Sequence, residues 1–293
     1  MSSSREATVT PDTHGFFGHP KGLSTLFFTE MWERFSYYGM RALLTLYMTK
    51  SLADGGLGFD EKFAGIIYAT YVSSVWYLPL IGGWLADRFL GARRAVLLGG
   101  IVIACGHYSM AIDSIATFYA GLILIAMGTG LLKPNISAMV GQLYPSEDKR
   151  RDAGFSIFYM GINLGAFFAP LITGFLAQSA TIRDFISSLG MNPNKSWHWG
   201  FAAAGVGMTL GVAQYLLGGN RLSHVGLKPR KAATQETSSK FDSLTAILAI
   251  VGALIGIGFG YKFGEGGWIS VPFWSVVGYF AGFLQHTHIL GIT

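Results

Sequence analysis

Apolar residues run through this chain in stretches of about 20, the length a helix needs to cross a hydrocarbon core. Eight such stretches stand out, at 23–48, 63–86, 93–112, 115–140, 153–178, 197–218, 241–262 and 269–289. Barrel strands would show segments of about 10 residues with strict alternation, and that period is absent. The pattern predicts an all-α, polytopic membrane protein, because a helix satisfies its own backbone hydrogen bonds inside lipid.

The connections are short except at 179–196 and 219–240. The second is polar and rich in Ser, Thr and Lys, so it reads as a flexible linker. The expected organisation is a polar N-terminal tail (1–22), a six-helix lobe (23–218), a linker (219–240) and a two-helix segment (241–293). With the N-terminus in the cytoplasm, thirteen Lys and Arg fall on inside segments and five on outside ones, as the positive-inside rule requires. The tail and linker are then cytoplasmic. The first span has no small-residue cleavage site behind it and is expected to stay as an anchor.

Composition agrees with a lipid environment. Hydrophobic residues make up 51% and charged residues 13%, against about 25% charged in soluble domains. The 40 glycines suit helices that approach closely in hydrocarbon, as in Gly121–Gly130 and Gly200–Gly211. The net charge of +5 does not point to nucleic acid, since the basic residues never form one face with interleaved aromatics. Cys105 is the one cysteine and reads as a helix-packing residue.

Three basic residues, Arg34, Arg41 and Lys133, lie inside spans. The first span also carries Glu30 and Glu33, although one charge near a helix centre costs about 2.5–3.5 kcal/mol on insertion scales. At 100° per residue, Glu30, Glu33, Arg34, Tyr37, Tyr38 and Arg41 fall within about 80° of one another's stripe centre on Glu30. That stripe must face an interior cavity. Glu30 and Arg34 can pair at i,i+4. Arg41 has no acid within one turn in sequence, so its charge calls for an anion from a lipid headgroup, another helix or a ligand. Lys133 lies between Gly128, Gly130 and Pro134, and helix four can bring it to Glu33 or Glu30. A carboxylate beside a lysine in a wet cavity can bind and release a proton according to what else is bound, which is what a proton-coupled carrier requires.

The string Glu30-x-x-Glu33-Arg34-Phe35-x-Tyr37-Tyr38-Gly39 resembles the helix-one signature of the proton-dependent oligopeptide transporters, a branch of the major facilitator superfamily. Residues Gly82–Arg94 resemble that superfamily's helix 2–3 motif. Gly128-Thr129-Gly130-x-x-Lys133-Pro134-Asn135 and Phe158–Gly165 resemble the family's patterns in helices four and five. The resemblance implies the N-terminal lobe of such a transporter. Glu30, Glu33, Arg34 and Lys133 would handle protons, and Arg41 would bind a peptide's C-terminal carboxylate. Tyr37, Tyr38 and Asn163 would line the peptide site. For a further tyrosine of helix two, spacing from Asp87 lands near Trp76, while the local string favours Tyr77. Asp87, Arg88 and Arg93 would gate, or would simply anchor helix ends. Residues 241–293 would be the pair bacterial members carry between lobes, or the start of a second lobe. The C-terminal lobe, expected as a partner, is missing.

The implied function is proton-coupled uptake of di- and tripeptides across a plasma or bacterial inner membrane. The alternatives are a same-family carrier of nitrate or another small anion, and a non-transporting lobe with an assembly role. The implied partners are peptide, protons and the bilayer. No enzyme is expected, since neither a nucleophile elbow, a zincin helix nor a phosphate loop occurs, and no cofactor or metal is implied. His107 and His198 read as packing or interfacial residues. Pro79, Pro134 and Pro170 are expected to bend their helices, and Trp197, Trp199 and Trp268 to anchor span ends at the interface.

Overall fold

In the computed structural model, residues 15–223 and 225–227 are described. They form seven α-helices: α1 (Gly22–Thr49), α2 (Glu61–Leu85), α3 (Ala92–Met110), α4 (Ile115–Gln142), α5 (Arg151–Gln178), α6 (Ala180–Ser188) and α7 (Ser196–Leu217). No strand occurs among the described residues, and the fold is all-α. Four helical stretches, Glu61–Leu90, Ile115–Gln142, Arg151–Gln178 and Pro193–Leu217, are long and apolar enough to cross a membrane. The expected spans at 241–262 and 269–289 lie outside the described residues, as do most of the tail and linker. The described residues divide between two units, 15–65 with 78–227, and 66–77 in the middle of α2.

Within the larger unit, α1 packs on α5 and α7, and α3 packs on α4 and α7. The face of α5 against α1 is small: Gly161, Gly165, Ala169 and Thr173 recur every fourth residue and all are buried. Thr173 Oγ1 donates to Ala169 O at 2.9 Å and lies 3.2 Å from Gly39 O on α1. Between α3 and α4 the contact is glycine on glycine. A Cβ on Gly99 would lie 2.7 Å from Gly128 O, and one on Gly128 2.6 Å from Gly99 O. Lacking a hydrophobic drive between helices, lipid-embedded pairs gain stability from such close backbone approach. At one end Tyr47 joins α1 to its neighbours, with ring centroids 5.3 Å from Phe201 and 5.7 Å from Phe118.

Local chemistry explains several boundaries. The Asp60 side chain accepts from Phe63 N at 3.0 Å and starts α2, an N-cap that satisfies an orphan donor. Pro79, Pro134 and Pro170 lie inside α2, α4 and α5, and each helix continues past its proline. A π-helical turn, Ala86–Leu90, ends α2. Gly91 follows it with φ of 78°, a left-handed value, and donates to Ala86 O at 2.7 Å; glycine suits that backbone.

The long connection 179–196 contains the helix α6, and two expectations are corrected. Cys105 is exposed on α3, so it is not a packing residue within this unit. The first residues of the expected flexible linker are docked: Leu222 and Val225 are buried, Gly226 N donates to Gln142 Oε1 at 2.8 Å, and Arg93 N donates to Gly226 O at 2.9 Å.

Candidate functional site

The charged stripe of α1 points inward. Glu33 is 0% exposed, Glu30 3% and Arg34 5%, so three charges are withdrawn from both water and lipid. Arg34 Nη2 donates to Glu33 Oε1 at 2.6 Å, and its Nε donates to Glu33 Oε2. This bidentate arrangement is the stronger, geometrically selective form of a charge-assisted pair. The i,i+4 pair expected from the sequence is also formed, with Arg34 Nε 3.3 Å from Glu30 Oε1. Glu30 Oε2 is buried with no hydrogen-bond partner among the described residues.

Gly165 of α5 makes this arrangement possible. A Cβ there would meet Met31 O, would lie 2.9 Å from Phe35 N and 3.1 Å from Arg34 Cβ. The α1 backbone at Arg34 therefore presses directly on α5. The Arg34 guanidinium carbon lies 5.0 Å from the centroid of the Tyr37 ring, and that of Arg41 lies 6.0 Å from the same ring, within cation–π range. Tyr38 meets Tyr37 edge-on at 5.2 Å. Tyr38 and Arg41 are half-buried. Thr29 Oγ1 contacts Gln214 Oε1 at 3.0 Å, fixing the same helix against α7.

Lys133 on α4 is half-buried and lies within electrostatic reach of Glu30, Glu33 and Arg34. The structure thus groups two acids and two bases from α1 and α4, with Tyr37 placing Arg41 beside them. A cluster of this kind can exchange a proton or an anion with few changes in contact, because each charge already has an alternative partner in reach.

The other predicted residues of the larger unit are not part of this group. Asn163 is exposed on α5. Tyr77 ends the 66–77 portion of α2, which belongs to the second unit. Asp87 and Arg88 are exposed on the π-helical turn, with the Arg88 guanidinium carbon 5.8 Å from the Trp84 ring centroid. Arg93 Nε donates to Val225 O at 2.6 Å, and its Nη2 bonds Ser223 O, so in this structure it binds the segment after α7. His198 Nδ1 lies 3.0 Å from Met110 O, and His107 is fully buried. Among the described residues no cluster of His, Cys, Asp or Glu could hold a metal. Sequence reasoning missed the Glu33–Arg34 pair, for which the only signal was the adjacency of two long, opposite charges.

The family model described as POT family matches residues 93–251. The chain belongs to the POT family. It is 52% identical over 214 residues to the uncharacterized transporter YclF of Bacillus subtilis, covering 73% of this chain and 40% of that protein. It is 43% identical over 247 residues to a di-/tripeptide transporter of Lactococcus lactis, covering 82% of this chain and 46% of that one. Its structure resembles that of a POT peptide transporter solved in complex with sulfate, with a TM-score of 0.67 and 45% identity over 87% of this chain and 49% of that chain. The matched part of the chain therefore covers less than half the length of each of these three relatives. POT proteins are transporters, and the grouped charges of α1 and α4 stand in that setting.

Proposed function

We propose that this POT chain forms the proton- and peptide-handling lobe of a symporter that takes up di- and tripeptides by alternating access. The observation that carries the reading is the buried Glu33–Arg34–Glu30 cluster with Lys133 in electrostatic reach. Glu30, Glu33, Arg34 and Lys133 couple protons. A proton on either acid loosens its hold on Arg34 and leaves the guanidinium and Lys133 to share the other carboxylate, so the cluster has two arrangements for a transported anion to bias. Arg41 takes the peptide's C-terminal carboxylate, with Tyr37, Tyr38, Tyr77 and Asn163 lining the site. Asp87, Arg88 and Arg93 gate the cytoplasmic side.

In this reading residues 1–22 and 219–240 are cytoplasmic, 23–218 form the six-helix lobe, and 241–293 precede a second lobe in a cell membrane. The name of the Lactococcus lactis relative supports the peptide cargo. The test is proton-driven dipeptide uptake by the full-length protein in liposomes. Glu33→Gln and Lys133→Ala should each lower the rate by more than about tenfold, the effect of ~1.4 kcal/mol on the barrier. Wild-type rates in both would end the coupling role, and competition by nitrate but not by di-alanine would replace the peptide with a small anion.

A further inference from the structure

Where α1 and α5 finish and α6 begins, the surface of the bundle holds a half-open pocket of about 380 Å³ lined by Leu46, Thr49, Lys50, Gln178, Arg183 and Trp197. Its chemistry is divided. Lys50 and Arg183 supply two cations, Thr49 and Gln178 neutral hydrogen-bonding groups, and Leu46 and Trp197 apolar walls. Arg183 Nε is buried and has no hydrogen-bond partner among the described residues. A buried guanidinium N–H calls for an acceptor, since leaving it unmade carries the full cost of desolvation.

Helix capping does not absorb these cations. Basic side chains often serve the last carbonyls of a helix, yet the carbonyls of Leu46, Tyr47 and Met48 already accept from the backbone N–H of Lys50, Leu57 and Phe59. Ala177 O, at the end of α5, accepts from the Ser196 hydroxyl. Arg183 itself stands in the first turn of α6, the end at which the helix dipole disfavours a cation. Asp54 balances part of the charge: its Oδ2 is 3.5 Å from Lys50 Nζ and also accepts from the Ser51 hydroxyl at 2.9 Å. Asp54 is also within electrostatic reach of Arg183, and the donor left over is the buried Arg183 Nε.

The surroundings are those of a membrane boundary. Phe185 and Trp199 meet edge-on at 6.3 Å, and both are exposed, as is Leu46 on the cavity wall. Exposed tryptophan beside the end of a span favours the headgroup level.

We infer that this cavity is a binding site for the phosphate of an anionic phospholipid, with Arg183 and Lys50 as its donors and Leu46, Phe185 and Trp199 beside its acyl chains. It lies apart from the proton and peptide cluster and does not depend on that reading. Native mass spectrometry of the full-length protein, delipidated and titrated with phosphatidylglycerol, tests it. Arg183→Gln combined with Lys50→Gln should retain at least about tenfold less lipid, as expected when charge-assisted bonds are removed. Arg183→Lys keeps the charge without the guanidinium and should fall between, whether or not the double variant folds well. Lys195→Gln should bind as wild type, since Lys195 faces Asp113 at 3.6 Å and is outside the cavity. Diacylglycerol, which lacks the phosphate, should not compete, and excess inorganic phosphate should leave the lipid in place. Wild-type lipid retention in the double variant, competition by diacylglycerol, or displacement by inorganic phosphate would each overturn the assignment.

Discussion

The seam between α1 and α5 and the seam between α3 and α4 are both closed by small residues, but they shut in different things. At α3–α4, Gly99 and Gly128 bring two backbones together, and the contact carries no charge. At α1–α5, Gly165 seats the backbone of Arg34, whose guanidinium holds two buried acids. One seam is a matter of shape. The other uses the same close approach to keep costly charges in register, so its stability and its chemistry are the same contacts.

The sharpest way to break this comparison is to remove the cation. Arg34→Met leaves Glu30 and Glu33 buried without their shared partner, and breaking a buried pair in this way costs about 3–5 kcal/mol. Thermal unfolding in detergent should show a large fall in melting temperature. Adding Glu30→Gln and Glu33→Gln to Arg34→Met should recover most of it, because a neutral cluster carries no uncompensated charge. A single variant as stable as wild type would mean that water or another chain already neutralises the acids.

A smaller effect separates shape from chemistry. Gly128→Val forces atoms into the Gly99 backbone, and overpacking of this kind costs about 1–3 kcal/mol. Gly165→Ala intrudes on Phe35 N and Arg34 Cβ and should cost a similar amount. Uptake per folded molecule is the discriminating measurement. It should stay near wild type in Gly128→Val and fall in Gly165→Ala, since only the second displaces a residue of the charged cluster. Equal uptake in the two variants would remove the distinction between the seams.

The same contrast explains what could be read from the residues alone. Run length located α1 to α5 and α7 as helices, and among the described residues α2, α4, α5 and α7 are also long and apolar enough to cross lipid. The stripe of charges on α1 was legible for a related reason: charges inside a span must share one inward face. The helix α6, with nine residues, has no span length to announce it. The Glu33–Arg34 pair was hidden because adjacent helical positions point about 100° apart, and only the packed backbone around Gly165 decides which of two acids a long side chain grips. The exposure of Cys105 and the docking of Leu222, Val225 and Gly226 depend on which faces neighbouring helices cover, and a single helix's periodicity does not carry that information.

The smallest effect concerns how α1 is tied at its start, outside the membrane. His19 Nδ1 lies 2.9 Å from the Tyr144 hydroxyl, and Arg150 donates to Gly18 O at 2.8 Å, so the segment before α1 is fastened to the α4–α5 connection. Burial, then the Arg150 guanidinium, hold the His19 imidazole below its usual value of 6.5, against the opposing pull of Asp148. Burial also pushes the Tyr144 phenol up to about 12, so only the imidazole of that pair titrates in mild acid. The folded state then prefers neutral His19, and the unfolded or detached segment binds the proton more readily. Its contribution is therefore present above about 6.5, the unperturbed value, and is lost as the pH falls below that value toward the depressed one. Hydrogen exchange at residues 16–20 should be faster at pH 5.5 than at pH 7.5 after correction for intrinsic exchange, and His19→Gln should abolish the difference. The Gly99–Gly128 contact contains no group that titrates, and Gly128→Val should leave the pH response of residues 16–20 unchanged. A response that persists in His19→Gln would place the sensitivity elsewhere, since Asp148 is held below its usual value by its hydrogen bonds with Arg150, and would leave His19 a packing residue.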